Sequence, residues 1–73
     1  MIDEAVAATC RAHADLVRDA ARARPKAWGA LAAHGIVAFR ERAGRPPSDA
    51  ERRAIWAGLW RAVEAARQSP TQP

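Results

Sequence analysis

The sequence predicts an all-α protein of three helices, and three observations carry this prediction. Alanine, which has the highest helix propensity, is abundant along the chain. Larger apolar residues recur at the three- and four-residue spacing of one helix face. Proline, glycine and serine stand where helices are expected to stop and start. One domain is therefore expected over residues 1–68, with helices at about 3–24, 25–43 and 49–68 and a disordered tail at 69–73.

The first helix is predicted to be amphipathic, with a narrow apolar face. Asp3 and Glu4 lie near its N-terminus, where the helix dipole favours negative charge. No glycine before Pro25 ends this helix, and no Ser, Thr, Asp or Asn beside it caps the next one. The chain is expected either to turn at Pro25 or to continue as one helix kinked there. The turn is preferred, because proline inside a helix removes a hydrogen bond and clashes with the preceding turn.

The second helix carries two aromatic and two small residues on one stripe, namely Trp28, Ala32, Gly35 and Phe39. Glycine costs about 1 kcal/mol relative to alanine in a helix interior. A close approach by another helix is the expected reason for Gly35, and an accident tolerated in an alanine-rich helix is the alternative.

The strongest local signals lie between the second and third helices. Gly44 suits the residue just after a helix end, and Pro46 and Pro47 prevent the helix from continuing. Ser48 begins Ser-Asp-Ala-Glu, a capping box in which its hydroxyl accepts from the Glu51 amide while the Glu51 carboxylate accepts from the Ser48 amide. Helices two and three are therefore expected to form an antiparallel hairpin.

The third helix has a broad apolar face, which predicts self-association. Its large apolar residues are Ile55, Trp56, Leu59, Trp60 and Val63. A domain of this size rarely gains more than about 3–5 kcal/mol from a single core. One cysteine also excludes an internal disulfide. Two hairpins are therefore expected to pair as a dimeric helical bundle that buries this face.

The composition argues against several classes of function. No glycine-rich phosphate loop or serine-nucleophile motif is present, so no catalytic residue and no cofactor is predicted. Cys10 and His13 are one helical turn apart and can supply two metal ligands, whereas His34 is placed on the polar side of its helix, so a third ligand requires a second chain. A buried cysteine beside a packed histidine is the favoured interpretation, and no metal site is predicted.

The expected location is the cytoplasm. The acidic N-terminus does not resemble a signal peptide, and the lone thiol suits a reducing compartment. The most apolar run, 28–39, is shorter than the ~20 residues that span a bilayer, so no membrane partner is expected. The abundance of alanine and arginine is typical of proteins from GC-rich bacterial or phage genomes.

The first candidate binding site is a tryptophan ridge, defined as Arg52, Trp56 and Trp60, with Arg53 and Arg67 bordering Trp60. The three ridge residues are spaced four apart and therefore follow one edge of the third helix. Tryptophan and arginine are the residue types most enriched at interface hot spots, and Arg52 can form a cation–π contact with Trp56. Trp56 is expected in the core and Trp60 at a protein interface. The alternative is that both tryptophans are core residues that pack on Trp28 and Phe39.

The second candidate site is a group of loop arginines, defined as Arg40, Arg42 and Arg45. Arginine donates two parallel hydrogen bonds to phosphate, and the net charge of +4 favours an acidic partner. Acidic residues are interleaved with these arginines. The favoured function is a small non-catalytic protein–protein interaction module, an adaptor or regulator that forms homo-oligomers. The alternative is an accessory nucleic-acid-binding protein that uses the loop arginines.

Overall fold

Four α-helices and no β-strand make up residues 1–68, the part of the chain that this computed structural model describes. The helices are α1 (Ile2–Ala12), α2 (Ala14–Ala21), α3 (Ala27–Ala43) and α4 (Asp49–Gln68). The all-α prediction is confirmed, whereas the prediction of three helices is wrong. The predicted disordered tail, 69–73, lies outside the described residues. Within 1–68, no helix has the length and apolarity needed to cross a bilayer.

His13 divides the predicted first helix into α1 and α2. Its backbone has φ −128° and ψ 47°, outside the helical region. The His13 amide still donates to the Thr9 carbonyl at 2.9 Å, and its carbonyl accepts from the amides of Leu16 and Val17. In α1 the Thr9 hydroxyl donates to the Ala5 carbonyl at 2.8 Å, a contact that often bends helices. The apolar periodicity continues through His13, so the sequence pattern did not reveal the break.

A Schellman motif ends α2, with Ala23 in the position that glycine usually occupies. The Arg24 amide donates to the Asp19 carbonyl at 3.0 Å, and the Ala23 amide donates to the Ala20 carbonyl at 3.0 Å. Ala23 consequently has a left-handed φ of 57°. Pro25 follows two residues later, and α3 begins two residues after Pro25. The chain therefore turns at Pro25, as preferred from the sequence.

The core lies where the four helices meet. Both α1 and α2 pack against α3 and α4, and α3 packs against α4. The largest fully buried side chains come from α3 and α4: Leu31, Phe39, Ile55, Leu59 and Val63. The face of α4 that contains Ile55, Leu59 and Val63 is thus covered within one chain, and its burial needs no second copy.

Two glycines permit close helix contacts. A Cβ built on Gly35 would lie 2.7 Å from Leu59 Cδ1 and 3.0 Å from Ile55 Cγ2. A Cβ built on Gly58 would lie 2.9 Å from Val6 Cγ2. The packing role expected for Gly35 is therefore confirmed, and it brings α3 against α4. Gly58 serves the same purpose between α4 and α1.

The predicted stop and start signals are present between α3 and α4. Gly44 follows α3 with a left-handed φ of 72°. The Ser48 amide donates to Glu51 Oε1 at 2.9 Å, and the Glu51 amide donates to Ser48 Oγ at 3.1 Å. The capping box is confirmed, and it sets where α4 begins.

Candidate functional site

Both tryptophans of α4 are exposed at its edge. Trp56 has 36% of its surface exposed and Trp60 has 44%. The expectation that Trp56 lies in the core is wrong, because Ile55, Leu59 and Val63 already fill the core-facing side of α4. One residue along a helix is a rotation of about 100°, which places Trp56 beside the core rather than in it.

Each exposed indole has an arginine over its ring. Arg52 Cζ lies 5.9 Å from the centroid of the Trp56 ring, so the predicted cation–π contact is confirmed. Arg67 Cζ lies 5.5 Å from the centroid of the Trp60 ring. Trp28 of α3 meets Trp60 edge to face, with centroids 5.4 Å apart and planes at 89°. The ridge therefore extends beyond its predicted members to Trp28 and Arg67.

The sequence placed Arg67 beside Trp60, because the two residues are two turns apart on the same helix face, but Arg67 was not counted among the predicted site residues. Trp28 was considered only as a core partner of the α4 tryptophans. Trp28 lies on another helix, and no pattern within one helix shows how two helices are aligned.

Arg67 also fixes the C-terminal part of α4 to the end of α2. Its Nε donates to the Ala21 carbonyl at 3.2 Å, and its Nη1 donates to Glu64 Oε2 at 2.9 Å. At the other end of the ridge, Arg52 forms an ion pair with Asp49. Arg53 is exposed and has no ion-pair partner within residues 1–68.

Arg45, one of the loop arginines, is already bound to a carboxylate. Its Nη1 and Nη2 donate to Glu51 Oε1 and Oε2, each at 2.8 Å, and its guanidinium lies 5.4 Å from the centroid of the Phe39 ring. These hydrogen bonds from Arg45, together with the Ser48 amide, lower the pKa of Glu51 to about 2. Glu51 in turn raises the pKa of Arg45. The Arg45 guanidinium, which was predicted to hold phosphate, therefore stabilises the cap of α4.

The other two loop arginines point to different depressions. Arg40 lines an open groove of about 410 Å³ that also contains Arg45, Glu41 and Val37. Arg42 lines a separate depression beside His34, and its Nη1 donates to the Ala38 carbonyl at 3.3 Å. The structure therefore does not bring the three predicted phosphate contacts together, and it places a carboxylate beside Arg40.

The two histidines form a stacked pair that the sequence did not reveal. The rings of His13 and His34 have centroids 3.7 Å apart and planes 15° apart, so His34 contacts His13 of the same chain. Stacked imidazoles direct their nitrogen atoms along parallel planes instead of toward one point. Burial raises the pKa of the Cys10 thiol, which disfavours the thiolate that binds metal. Residues 1–68 contain no group of three or more His, Cys, Asp or Glu arranged around a metal position.

Together these features define a small four-helix domain whose last helix carries exposed tryptophan and arginine along one edge. No protein-family model, no curated protein and no solved structure matches this chain. The chemistry of this surface is therefore the basis on which a function can be inferred.

Proposed function

We propose that this protein is a small non-catalytic interaction module, an adaptor or regulator, which self-associates and binds protein through the tryptophan ridge of α4. The observation that carries the proposal is the exposure of Trp56 and Trp60 side by side. The other exposed large apolar residues among 1–68 are Met1 and Val37. Neighbouring exposed tryptophans leave apolar area in water that a partner can cover, at about 25 cal/mol per Å².

The length of the ridge also suits a helical partner. Arg52 and Arg67 are fifteen residues apart, which corresponds to about 22 Å along an α-helix. Tryptophan and arginine are frequent hot-spot residues because each combines apolar area with polar hydrogen-bonding groups. In this proposal, two copies form a dimer through the exposed edge of α4, not through the broad apolar face that the sequence predicted to be buried between copies.

The test compares the wild-type protein with the double variant Trp56→Ala/Trp60→Ala. We expect the double variant to lose self-association in sedimentation velocity experiments and to lose the proteins that wild type captures from extracts of the native cell. Val37→Ala is the matched control, because Val37 is 48% exposed on α3 and lies outside the ridge. Circular dichroism checks that each variant keeps its helices. Identical association and capture by wild type and the double variant would contradict the proposal.

Nucleic-acid binding is a second candidate function, and Arg40 is the one loop arginine that supports it. Arg40 is exposed in its groove and has no ion-pair partner within residues 1–68. Contacts to phosphate release counterions, so such binding falls steeply as salt rises. Anisotropy of a labelled oligonucleotide at about 50 mM salt is the test. Binding lost in Arg40→Gln and retained in Trp56→Ala/Trp60→Ala would favour this second function, and absence of binding would exclude it.

A further inference from the structure

The residues along the exposed edge of α4 are arranged symmetrically about Gly58. Trp56 lies two residues before Gly58, and Trp60 lies two residues after it. Asp49 lies nine residues before Gly58, and Arg67 lies nine residues after it. Residues equally far from Gly58 are therefore both tryptophan near the middle of α4 and oppositely charged near its ends.

A second oppositely charged pair lies between the centre and the ends. Arg53 is five residues before Gly58, and Glu64 is six residues after it. At 100° per residue, the symmetric residues fall within an arc of about 80° on the helix surface. The members of this arc, here called the α4 arc, are Asp49, Arg53, Trp56, Trp60, Glu64 and Arg67. All of them are exposed except Glu64, which is half-buried.

We infer that two copies of this protein pair through the α4 arc, with their α4 helices antiparallel and a two-fold axis that crosses the arc at the level of Gly58 along the helix. Such an axis places a residue before Gly58 opposite the residue equally far after Gly58 in the second copy. Asp49 then faces Arg67. Arg53 lies one residue, about 1.5 Å along the helix, from the position directly opposite Glu64, so the two long side chains still meet. Symmetry repeats each contact. Trp56 and Trp60 of both copies meet at the centre. This inference rests on the proposed function, because it uses the same face.

Charge selects the antiparallel arrangement over the parallel one. A parallel two-fold pair aligns each residue with its own copy, which brings Arg53 against Arg53 and Glu64 against Glu64. Like charges opposed across an interface disfavour association. The antiparallel arrangement opposes unlike charges at both positions and therefore suits a second copy of this chain.

The ion pairs within one copy do not prevent this exchange. Asp49 is paired with Arg52, and Glu64 is paired with Arg67, each one turn apart on exposed α4 surface. Such exposed pairs contribute little to stability, so their carboxylates can turn to the second copy at small cost. Among residues 1–68, Arg53 has no ion-pair partner to give up. Ala57, which is small and exposed beside the arc, allows the two helices to approach.

The experiment uses complementary charge reversals and sedimentation velocity from about 10 µM to 1 mM protein at low salt. Arg53→Glu alone and Glu64→Arg alone each oppose like charges twice in a homodimer, so each should weaken association at least tenfold. Mixed in equal amounts, the two variants form complementary contacts, and association should return. Restoration on mixing distinguishes contact between copies from a loss of stability in either variant. Arg61→Glu, on the far flank of α4, is the control and should leave association unchanged.

Three other results would overturn the inference, and each identifies the part of it that is wrong. If Trp56→Ala/Trp60→Ala abolishes association but the mixture stays as weak as the single variants, the antiparallel register is wrong and the tryptophan-based function stands. If wild type is monomeric at about 1 mM, self-association is wrong both here and in the proposed function, and the capture experiment then decides only whether the tryptophan ridge binds another protein. Association unchanged between about 50 and 500 mM salt would exclude the ion pairs, since salt screens exposed charges.

Discussion

Gly35 is a position where α3 packs closely against α4, and Gly35→Ala is the most informative test of this packing. The added Cβ would lie 2.7 Å from Leu59 Cδ1 and 3.0 Å from Ile55 Cγ2, closer than van der Waals contact allows. Both neighbours are fully buried. The β-branched Ile55 has a stiff χ1, and Leu59 is fully buried, so moving its terminal Cδ1 displaces packed neighbours. The methyl group therefore forces either the Leu59 side chain or the two helices to shift.

Two opposing effects set the change in the free energy of unfolding that Gly35→Ala causes. Alanine is favoured over glycine by about 1 kcal/mol in a helix interior. Overpacking a closed core costs about 1–3 kcal/mol, and we expect the upper half of that range because two buried side chains are affected. The net loss for Gly35→Ala is then about 1–2 kcal/mol. For a domain of this size, that lowers the melting temperature by about 4–16 °C.

Gly29→Ala is the matched control, because it makes the same substitution on the same helix. A Cβ at Gly29 meets no atom within 4 Å, so only the gain in helix propensity of about 0.5–1 kcal/mol remains. Thermal and urea unfolding followed by circular dichroism should show opposite shifts for the two variants. A melting temperature that rises equally in Gly29→Ala and Gly35→Ala would refute the close α3–α4 contact.

Four further predictions concern stability. Leu59→Ala should lose about 2–5 kcal/mol by opening a cavity, and Leu59→Met less than about 1.5 kcal/mol, as measured by urea unfolding. Ala23→Gly should raise the melting temperature because Ala23 has φ 57°, whereas Ala33→Gly in α3 should lower it. Ser48→Ala should lose about 1 kcal/mol with the cap. Glu51→Gln should be less stable than wild type at pH 7. The pKa of Glu51 is lowered to about 2, so this difference should disappear as pH falls from about 4.5 to 2.

Each of these predictions has a result that contradicts it. Equal losses in Leu59→Ala and Leu59→Met would mean that volume at this site is unimportant. Melting-temperature shifts of the same sign in Ala23→Gly and Ala33→Gly would contradict the left-handed backbone at Ala23. An unchanged unfolding free energy in Ser48→Ala would contradict the stabilising role of the cap. A difference between Glu51→Gln and wild type that is constant from pH 7 to 2 would show that the Arg45–Glu51 contact does not form in solution.

The candidate site was predictable in part. The contact of Arg52 with Trp56 joins residues four apart on one helix, and the structure contains it. The location of Trp56 was not predictable, because a helix pattern shows which residues share a face without showing how much of that face the neighbours cover. The loop arginines were grouped by proximity in sequence, and Arg45 instead binds Glu51, a residue that the capping box already required.

The sequence alone determined the helical class, the end of α3 at Gly44 and the start of α4 at Ser48 and Glu51. Each of these features depends on interactions that span a few residues, so the local sequence contains the whole cause. Tertiary structure decided the break at His13, whose ring stacks on His34 twenty-one residues later. Tertiary structure also determined that the core-facing side of α4 is covered within one chain and that Trp56 and Trp60 lie at the exposed edge of this helix. These outcomes depend on how distant helices align, which no local pattern specifies.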